Sequence, residues 1–228
     1  MRSQIVINEV CINNASTIYD FEHEYEDWIE LYNAGTTIQN LAGYSITDNT
    51  LQPQKWVFPN AVLAPGDYLI IWASDKNLKK HPDTLHTNFK LSENETIALY
   101  NTSHTLVDAK QIPNTRLDHS FGRINNGSLD WAFMKPSSPK APNLEASSFM
   151  TYNRDSIKFS LKAGFYTGAQ ELTLAGGTEI RYTTDGSEPS PSSPRYTGPI
   201  HIDSTQTIKA CKFDNQSQPF YTWAATYF

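Results

Sequence analysis

Basic residues are scarce in this sequence. Its 228 residues hold 18 lysines and arginines against 24 aspartates and glutamates, a net charge of -6, and no basic run is longer than Lys79-Lys80. A nucleic-acid binder needs a clustered positive surface to displace counterions from phosphates, so nucleic acid is excluded as a partner. Long apolar runs are also lacking, and no stretch approaches the roughly 20 residues of a membrane-spanning helix. The first residues, Met1-Arg2-Ser3-Gln4-Ile5, enter a strand pattern with no apolar leader core, as expected of a cytoplasmic chain or of one whose leader has been removed. Cysteine is nearly absent: Cys11 and Cys211 are read as two small buried side chains and not as a disulfide framework. No window keeps a helical period.

What remains is β-rich. Hydrophobic residues at 39% and aromatics at 12% are enough to build a core. Short apolar runs recur at Ile5 to Ile12, Trp28 to Tyr32, Tyr44 to Thr47, Trp56 to Phe58, Tyr68 to Trp72, Thr96 to Tyr100 and Leu106 to Ile112. Turn formers separate them, among them Asn33-Ala34-Gly35, Pro65-Gly66-Asp67 and Asn125-Asn126-Gly127. In Trp28 to Tyr32, alternation puts Ile29 and Leu31 on one face and Trp28, Glu30 and Tyr32 on the other. Tyr68 to Trp72 is apolar on both faces and is expected to be a central strand.

Pro136-Ser137-Ser138-Pro139-Lys140-Ala141-Pro142-Asn143 carries three prolines in eight residues, and a semi-rigid domain join is placed there. Strand patterns resume at Ile157 to Leu161, Leu172 to Leu174, Glu179 to Thr184, Ile200 to Ile202, Thr207 to Phe213 and Thr222 to Phe228. The prediction is all-β: two tandem immunoglobulin-like β-sandwich domains, residues 1–143 and 144–228.

Ile7-Asn8-Glu9-Val10 followed by Asp27-Trp28-Ile29-Glu30-Leu31-Tyr32-Asn33 resembles the lamin tail domain. Leu41 to Asp48, Trp56 to Pro59, Leu63 to Leu69, and Ser120-Phe121-Gly122-Arg123 with Asp130-Trp131 continue the likeness in order across residues 4–143. The resemblance implies an immunoglobulin-type sandwich. It carries no nuclear-lamina role, because the chain shows no heptad rod, basic localisation cluster or prenylation signal. Such domains also occur in bacterial surface and secreted proteins beside hydrolase-like domains, which implies an extracellular, periplasmic or cell-surface setting.

Glu179 to Pro189, above all Tyr182-Thr183-Thr184-Asp185-Gly186-Ser187, is similar to the small C-terminal β-sandwich of chitobiase and β-hexosaminidase proteins, over residues 159–213. Sugar hydrolysis does not follow, since the catalytic acids of those enzymes lie in a separate barrel needing about 250 residues. The final Thr226-Tyr227-Phe228 resembles the start of a join into a spore-coat, CotH-like domain.

Three constellations could carry chemistry. Glu22, Glu24, Glu26 and Asp27, with Asp20 and His23, form the densest acidic patch and could give oxygens to calcium. No glycine-turned EF-hand loop surrounds them and His23-Glu24 lacks a second histidine where Asp27 stands, so the expectation is no cofactor, with calcium as the alternative. His119-Ser120 beside Asp118 suggests a nucleophile, but neighbours in a strand point to opposite faces. Trp56, Trp72, Trp131, Trp223, Tyr182 and Tyr196 could stack on sugars; Tyr196, with Tyr182 and Asp185, is the candidate ligand contact. Five Asn-x-Ser/Thr matches, at Asn14, Asn94, Asn101, Asn126 and Asn215, imply glycans only in a suitable host.

The function expected is that of non-catalytic binding or spacer modules, contacting protein or a cell-surface glycan and accessory to a hydrolase-like or CotH-like domain. A carbohydrate-binding module, or part of a secreted hydrolase whose catalytic domain lies elsewhere, are the alternatives.

Overall fold

A computed structural model describes residues 4–80, 84–143, 149–150, 152–153, 156–177, 179–213, 218–219 and 221–228. His81, Asn215 and the start of the stretch after Asn143 lie outside the described residues. Two compact units divide the chain, Met1–Phe149 and Met150–Phe228, and no helix occurs among the described residues.

In the first unit the strands are β1 (Ile5–Cys11), β2 (Trp28–Asn33), β3 (Gln39–Asn40), β4 (Ser45–Thr47), β5 (Trp56–Val57), β6 (Val62–Leu63) and β7 (Tyr68–Trp72). They continue with β8 (Lys79–Lys80), β9 (Thr84–Leu85), β10 (Thr96–Tyr100), β11 (Leu106–Gln111), β12 (Ser120–Arg123), β13 (Trp131–Met134) and β14 (Phe149–Met150). One sheet runs β14-β13-β12-β1-β2-β7 and the other β11-β10-β4-β5, with β3-β6 and β8-β9 as short ribbons. Ile5, Ile7, Ile29, Leu31, Leu69 and Ile71 of the larger sheet share one core with Ile46, Trp56, Ile97 and Leu99 of the smaller. This is an immunoglobulin-like sandwich, held by burial of apolar faces that neither sheet could hide alone.

A β-bulge resets the alternation of β1. The register passes from Ile7 opposite Leu31 to Glu9 opposite Glu30, leaving Asn8 as the extra residue. The core side chains are therefore Ile5 and Ile7, then Val10 and Ile12, while Asn8, Glu9 and Cys11 turn to the outer face. The peptide groups freed by the bulge are satisfied from the side. Asp108 Oδ2 accepts the Ile7 N–H at 2.8 Å, Arg123 Nε donates to the Ile7 carbonyl at 2.7 Å, and Arg123 Nη2 meets Asp108 Oδ2 at 2.7 Å.

The strand Tyr68 to Trp72 is β7, and it lies at the edge of its sheet, contrary to the central place expected from its two apolar faces. Its second face is buried by a small satellite cluster in which Ile70 and Trp72 pack with Cys11, Trp28 and Ile18. A loop therefore does the covering that a neighbouring layer would otherwise do, and isolated bridges from Trp72 to His86 and from Ser74 to Lys90 shield the edge.

The second unit comprises β15 (Tyr152–Asn153), β16 (Lys158–Phe159), β17 (Gln170–Leu172), β18 (Leu174–Ala175), β19 (Ile180–Thr183), β20 (Ile200–Ile202), β21 (Gln206–Lys212), β22 (Gln218–Pro219) and β23 (Trp223–Tyr227). The sheet β19-β21-β23 is accompanied by the pairs β15-β22, β16-β18 and β17-β20. Ile157, Leu172, Ile180, Ile202, Ile208 and Tyr227 belong to its core.

Candidate functional site

The outer face of β1 and β2 carries a buried polar network. Glu9 and Glu30 are both buried there. Glu9 Oε1 accepts from the Ser120 hydroxyl and from Ser138 N at 2.9 Å, and its Oε2 accepts from Ser138 Oγ at 2.8 Å. Glu30 accepts from Asn8 Nδ2 at 3.0 Å and from Lys140 N at 2.6 Å. Asn143 adds bonds to Asn126, Asn8 and the Arg123 carbonyl. The proline-rich stretch is thus clasped to the first sheet and is not a free-standing spacer. Burial raises Glu9 above the ordinary carboxylate range. Burial first, and then the charge of Glu9, push Glu30 up to about 8.

Gly122 makes the clasp possible. A Cβ there would come within 2.4 Å of Met134 Cε, 3.0 Å of Glu9 Cγ and 3.1 Å of Asn143 Nδ2, so a side chain would have to push the Met134 methyl aside and would press on Glu9 and Asn143.

Beside this clasp, the loop before β2 curls around Asp20. Asp20 Oδ1 accepts from Glu22 N at 2.8 Å and Glu24 N at 2.9 Å, and its side chain is fully buried. Lys76 brings its ammonium into the loop, 3.0 Å from Asp20, 3.0 Å from Glu22, 2.5 Å from Glu24 and 3.3 Å from Glu26. Although burial opposes it, bonds from Glu24, Glu22, Asp20 and Glu26 raise Lys76 above its ordinary value and keep it charged. Asp20 is lowered, its burial outweighed by the donors at Glu24, Lys76 and Glu22. Of the acids singled out in the sequence, Glu22, Glu24 and Glu26 meet at Lys76. Asp27 instead accepts from Asn14 N at 3.3 Å, and burial pushes it up to about 6. Lys76 had no signal in the acidic motif, since it arrives from another loop.

His86 borders this cluster. It is fully buried, its Nδ1 lies 2.8 Å from Ser74 Oγ, and its Nε2 lies 3.9 Å from Asp20 Oδ2 with no hydrogen-bond partner among the described residues. Burial, and then the charge of Lys76, hold it below the ordinary histidine value.

A groove of about 360 Å³ separates the acidic loop from Lys140 of the clasp. Tyr19 and Phe21 of the loop line it together with Tyr68, Ile70 and Trp72 of β7. Tyr19 is 54% exposed and Phe21 49%, and Tyr25, 46% exposed, meets Tyr19 edge-on at 6.0 Å. Of the aromatics proposed from sequence as a platform, Trp56 and Trp72 are buried, while Trp131 stacks on Phe121 at 5.2 Å under the cations of Lys110 and Arg123. In the first unit the most open rings, Tyr19, Phe21 and Tyr25, lie in a loop that carries no strand pattern, while in the second Phe165, Phe228 and Tyr221 are exposed.

In the second unit, Tyr182 and Tyr196 meet edge-on at 6.4 Å and pack half-buried against the core, because Tyr196 N donates to the Ile180 carbonyl and Tyr182 N to that of Pro194. Asp185 is exposed and accepts from Ser187 N and Oγ, closing a turn in which Gly186 has φ +80°. Those bonds hold its carboxyl below the usual range. Trp223, half-buried, meets Tyr221 at 5.3 Å.

The three residues Asp118, His119 and Ser120 diverge. Asp118 accepts from Ala15 N, Ser16 N and Ser16 Oγ, Ser120 donates to Glu9, and burial holds His119 down to about 4. No triad is assembled. The cysteines are buried thiols, one in each unit.

Comparison with known families matches residues 1–113 to the Lamin Tail Domain and residues 161–222 to the Chitobiase/beta-hexosaminidase C-terminal domain. The first match ends before β12 and β13, which complete the larger sheet. No curated protein matches the chain. The chain is therefore similar to a lamin tail domain in its first unit and to a chitobiase/β-hexosaminidase C-terminal domain in its second, both of them non-catalytic, accessory kinds of immunoglobulin-like module.

Proposed function

We propose that the chain is a pair of non-catalytic recognition modules of an extracytoplasmic protein, which hold a neighbouring domain against a cell-surface glycan. The observation that carries this reading is the groove beside the acidic loop, which Tyr19 and Phe21, about half exposed, line together with Lys140. Flat exposed rings give sugar C–H faces an apolar surface, and a flanking cation or amide fixes hydroxyl positions. The likeness of the second unit to the Chitobiase/beta-hexosaminidase C-terminal domain supports a carbohydrate ligand.

The test is retention of the whole chain on insoluble chitin, cellulose and peptidoglycan, together with a glycan array. Retention is expected on at least one of them and is lost in Tyr19→Ala and Phe21→Ala, whose side chains lie outside both main cores. Absence of retention and of array signal in the wild-type chain overturns the glycan reading.

A further inference from the structure

We infer that the loop around Asp20 is a binding site for a divalent first-row cation, Mn²⁺ or Zn²⁺, taken by carboxylate oxygens of Asp20, Glu22 and Glu24 and by Nε2 of His86. Three observations converge on it. One carboxylate oxygen from each of Asp20, Glu22 and Glu24 lies within 4.8 Å of the others, so a single ion can reach all three. Lys76 Nζ stands among them and against Glu26, at 2.5 to 3.3 Å, which marks where positive charge is wanted and still leaves four carboxylates facing one ammonium.

The third observation is independent of the acids. His86 directly follows β9, is fully buried, and holds an Nε2 without a hydrogen-bond partner among the described residues 3.9 Å from Asp20 Oδ2. It stands outside the three mutually close oxygens, so the exposed Glu22 and Glu24 side chains turn toward it to close the site. A buried polar atom left unsatisfied is costly, and a ligand that satisfies it is favoured. The other ring nitrogen is engaged by Ser74 Oγ at 2.8 Å, the outer hydrogen bond that usually orients a metal-ligating imidazole. Mixed oxygen and imidazole donors suit Mn²⁺ or Zn²⁺; Ca²⁺ and Mg²⁺ take oxygen alone. Lys76 is a placeholder: its side chain is 23% exposed, and a long flexible stem lets the ammonium swing to solvent when the ion enters.

Titration calorimetry of the whole chain, first stripped with a chelator, decides the matter, with MnCl₂, ZnCl₂ and CaCl₂ as probes. One Mn²⁺ or Zn²⁺ per chain is expected. Lys76→Met, which keeps the apolar stem, should bind more tightly, whereas Ser74→Ala should weaken binding about tenfold and His86→Gln at least as much. Glu22→Gln and Glu24→Gln, both at exposed side chains, should weaken it without disturbing the fold. If neither the wild-type chain nor Lys76→Met binds any of the three ions, Lys76 is a permanent counterion and the inference fails. Binding that His86→Gln leaves unchanged, or binding of Ca²⁺ alone, overturns the proposed donor set.

Discussion

Glu9 and Glu30 stand directly opposite one another on adjacent antiparallel strands, and both are buried. Like charges in that relationship repel, and burial disfavours either charge, so the pair does not readily carry two charges. Burial and then Glu9 push Glu30 up to about 8, and burial raises Glu9 as well, so the pair together holds a proton at neutral pH. The pair persists because each carboxyl holds part of the segment that covers the sheet: Glu9 takes Ser138 and Glu30 takes the Lys140 amide.

This relationship fixes the sign of a pH dependence. Unfolded, Glu30 titrates near its ordinary 4.5; folded, near 8, so between those values only the native chain holds the proton. Its contribution is complete below 4.5 and is lost as the pH rises through 8, at about 1.4 kcal/mol per pH unit. His119, held down to about 4 by burial, acts in the opposite sense below its ordinary 6.5, so the clean window is pH 6.5 to 8. Urea unfolding followed by tryptophan fluorescence should show the first unit losing about 2 kcal/mol across that window. Glu30→Gln should reduce the slope, Glu9 being raised by burial in the same sense; a wild-type stability that rises with pH here would refute the assignment.

The ion pair of Arg123 and Asp108 satisfies the Ile7 peptide groups beside the bulge in β1. Asp108→Ala strands a buried guanidinium and an amide together, and about 3–5 kcal/mol of stability should be lost. Replacing both partners, as Asp108→Ala with Arg123→Met, should cost less than the sum of the single changes, because no charge is then left buried alone. Equal additivity in equilibrium unfolding would show that the two side chains act independently.

The clasp is testable by protease. Lys140 is a tryptic site within the proline-rich stretch, yet its amide is bound by Glu30 and the next amide, of Ala141, by the Ser138 carbonyl. Native chain should resist cutting after Lys140 under conditions that cleave a linker, since cleavage requires local opening. Ser138→Ala removes one hydrogen bond to Glu9 and should speed the cut about 5- to 30-fold, an effect of about 1–2 kcal/mol on opening. Rapid cutting of the wild type at this position would show that the stretch opens readily from the sheet.

Much of the fold was legible because alternation survives in most strands. In β2, Ile29 and Leu31 face the core as their spacing predicts. Where the reading failed, a non-local event had intervened. The bulge at Asn8 shifts the core set of β1 from Ile5 and Ile7 to Val10 and Ile12, which no fixed period can describe. The two apolar faces of β7 suggested a central strand, but a loop and the Ile18 side chain cover the second face. β12 and β13 were visible only through family motifs, since Gly122 interrupts one pattern and Trp131-Ala132-Phe133 fills both faces of the other. At the acidic loop, the spacing of Glu22, Glu24 and Glu26 was readable; the arrival of Lys76 and His86 depends on tertiary folding and left no local mark.

The two thiols offer a separate reporter for each unit. Cys11 is fully buried, and its burial, aided by the charges of Asp27, Glu9 and Asp118, pushes the thiol up to about 12, so the reactive thiolate is suppressed in the native state. Cys211 is 1% exposed, with its Sγ 3.8 Å from the Pro189 carbonyl. Alkylation of either should therefore require its unit to open. Among the described residues, the first unit's main core holds 21 buried side chains and the second's only nine, and stability rises with the apolar surface a unit can bury. In rising urea, peptide mapping of alkylated chain should find Cys211 modified at a lower concentration than Cys11. The reverse order, or one shared midpoint, would mean that the smaller core draws stability from beyond its own apolar burial.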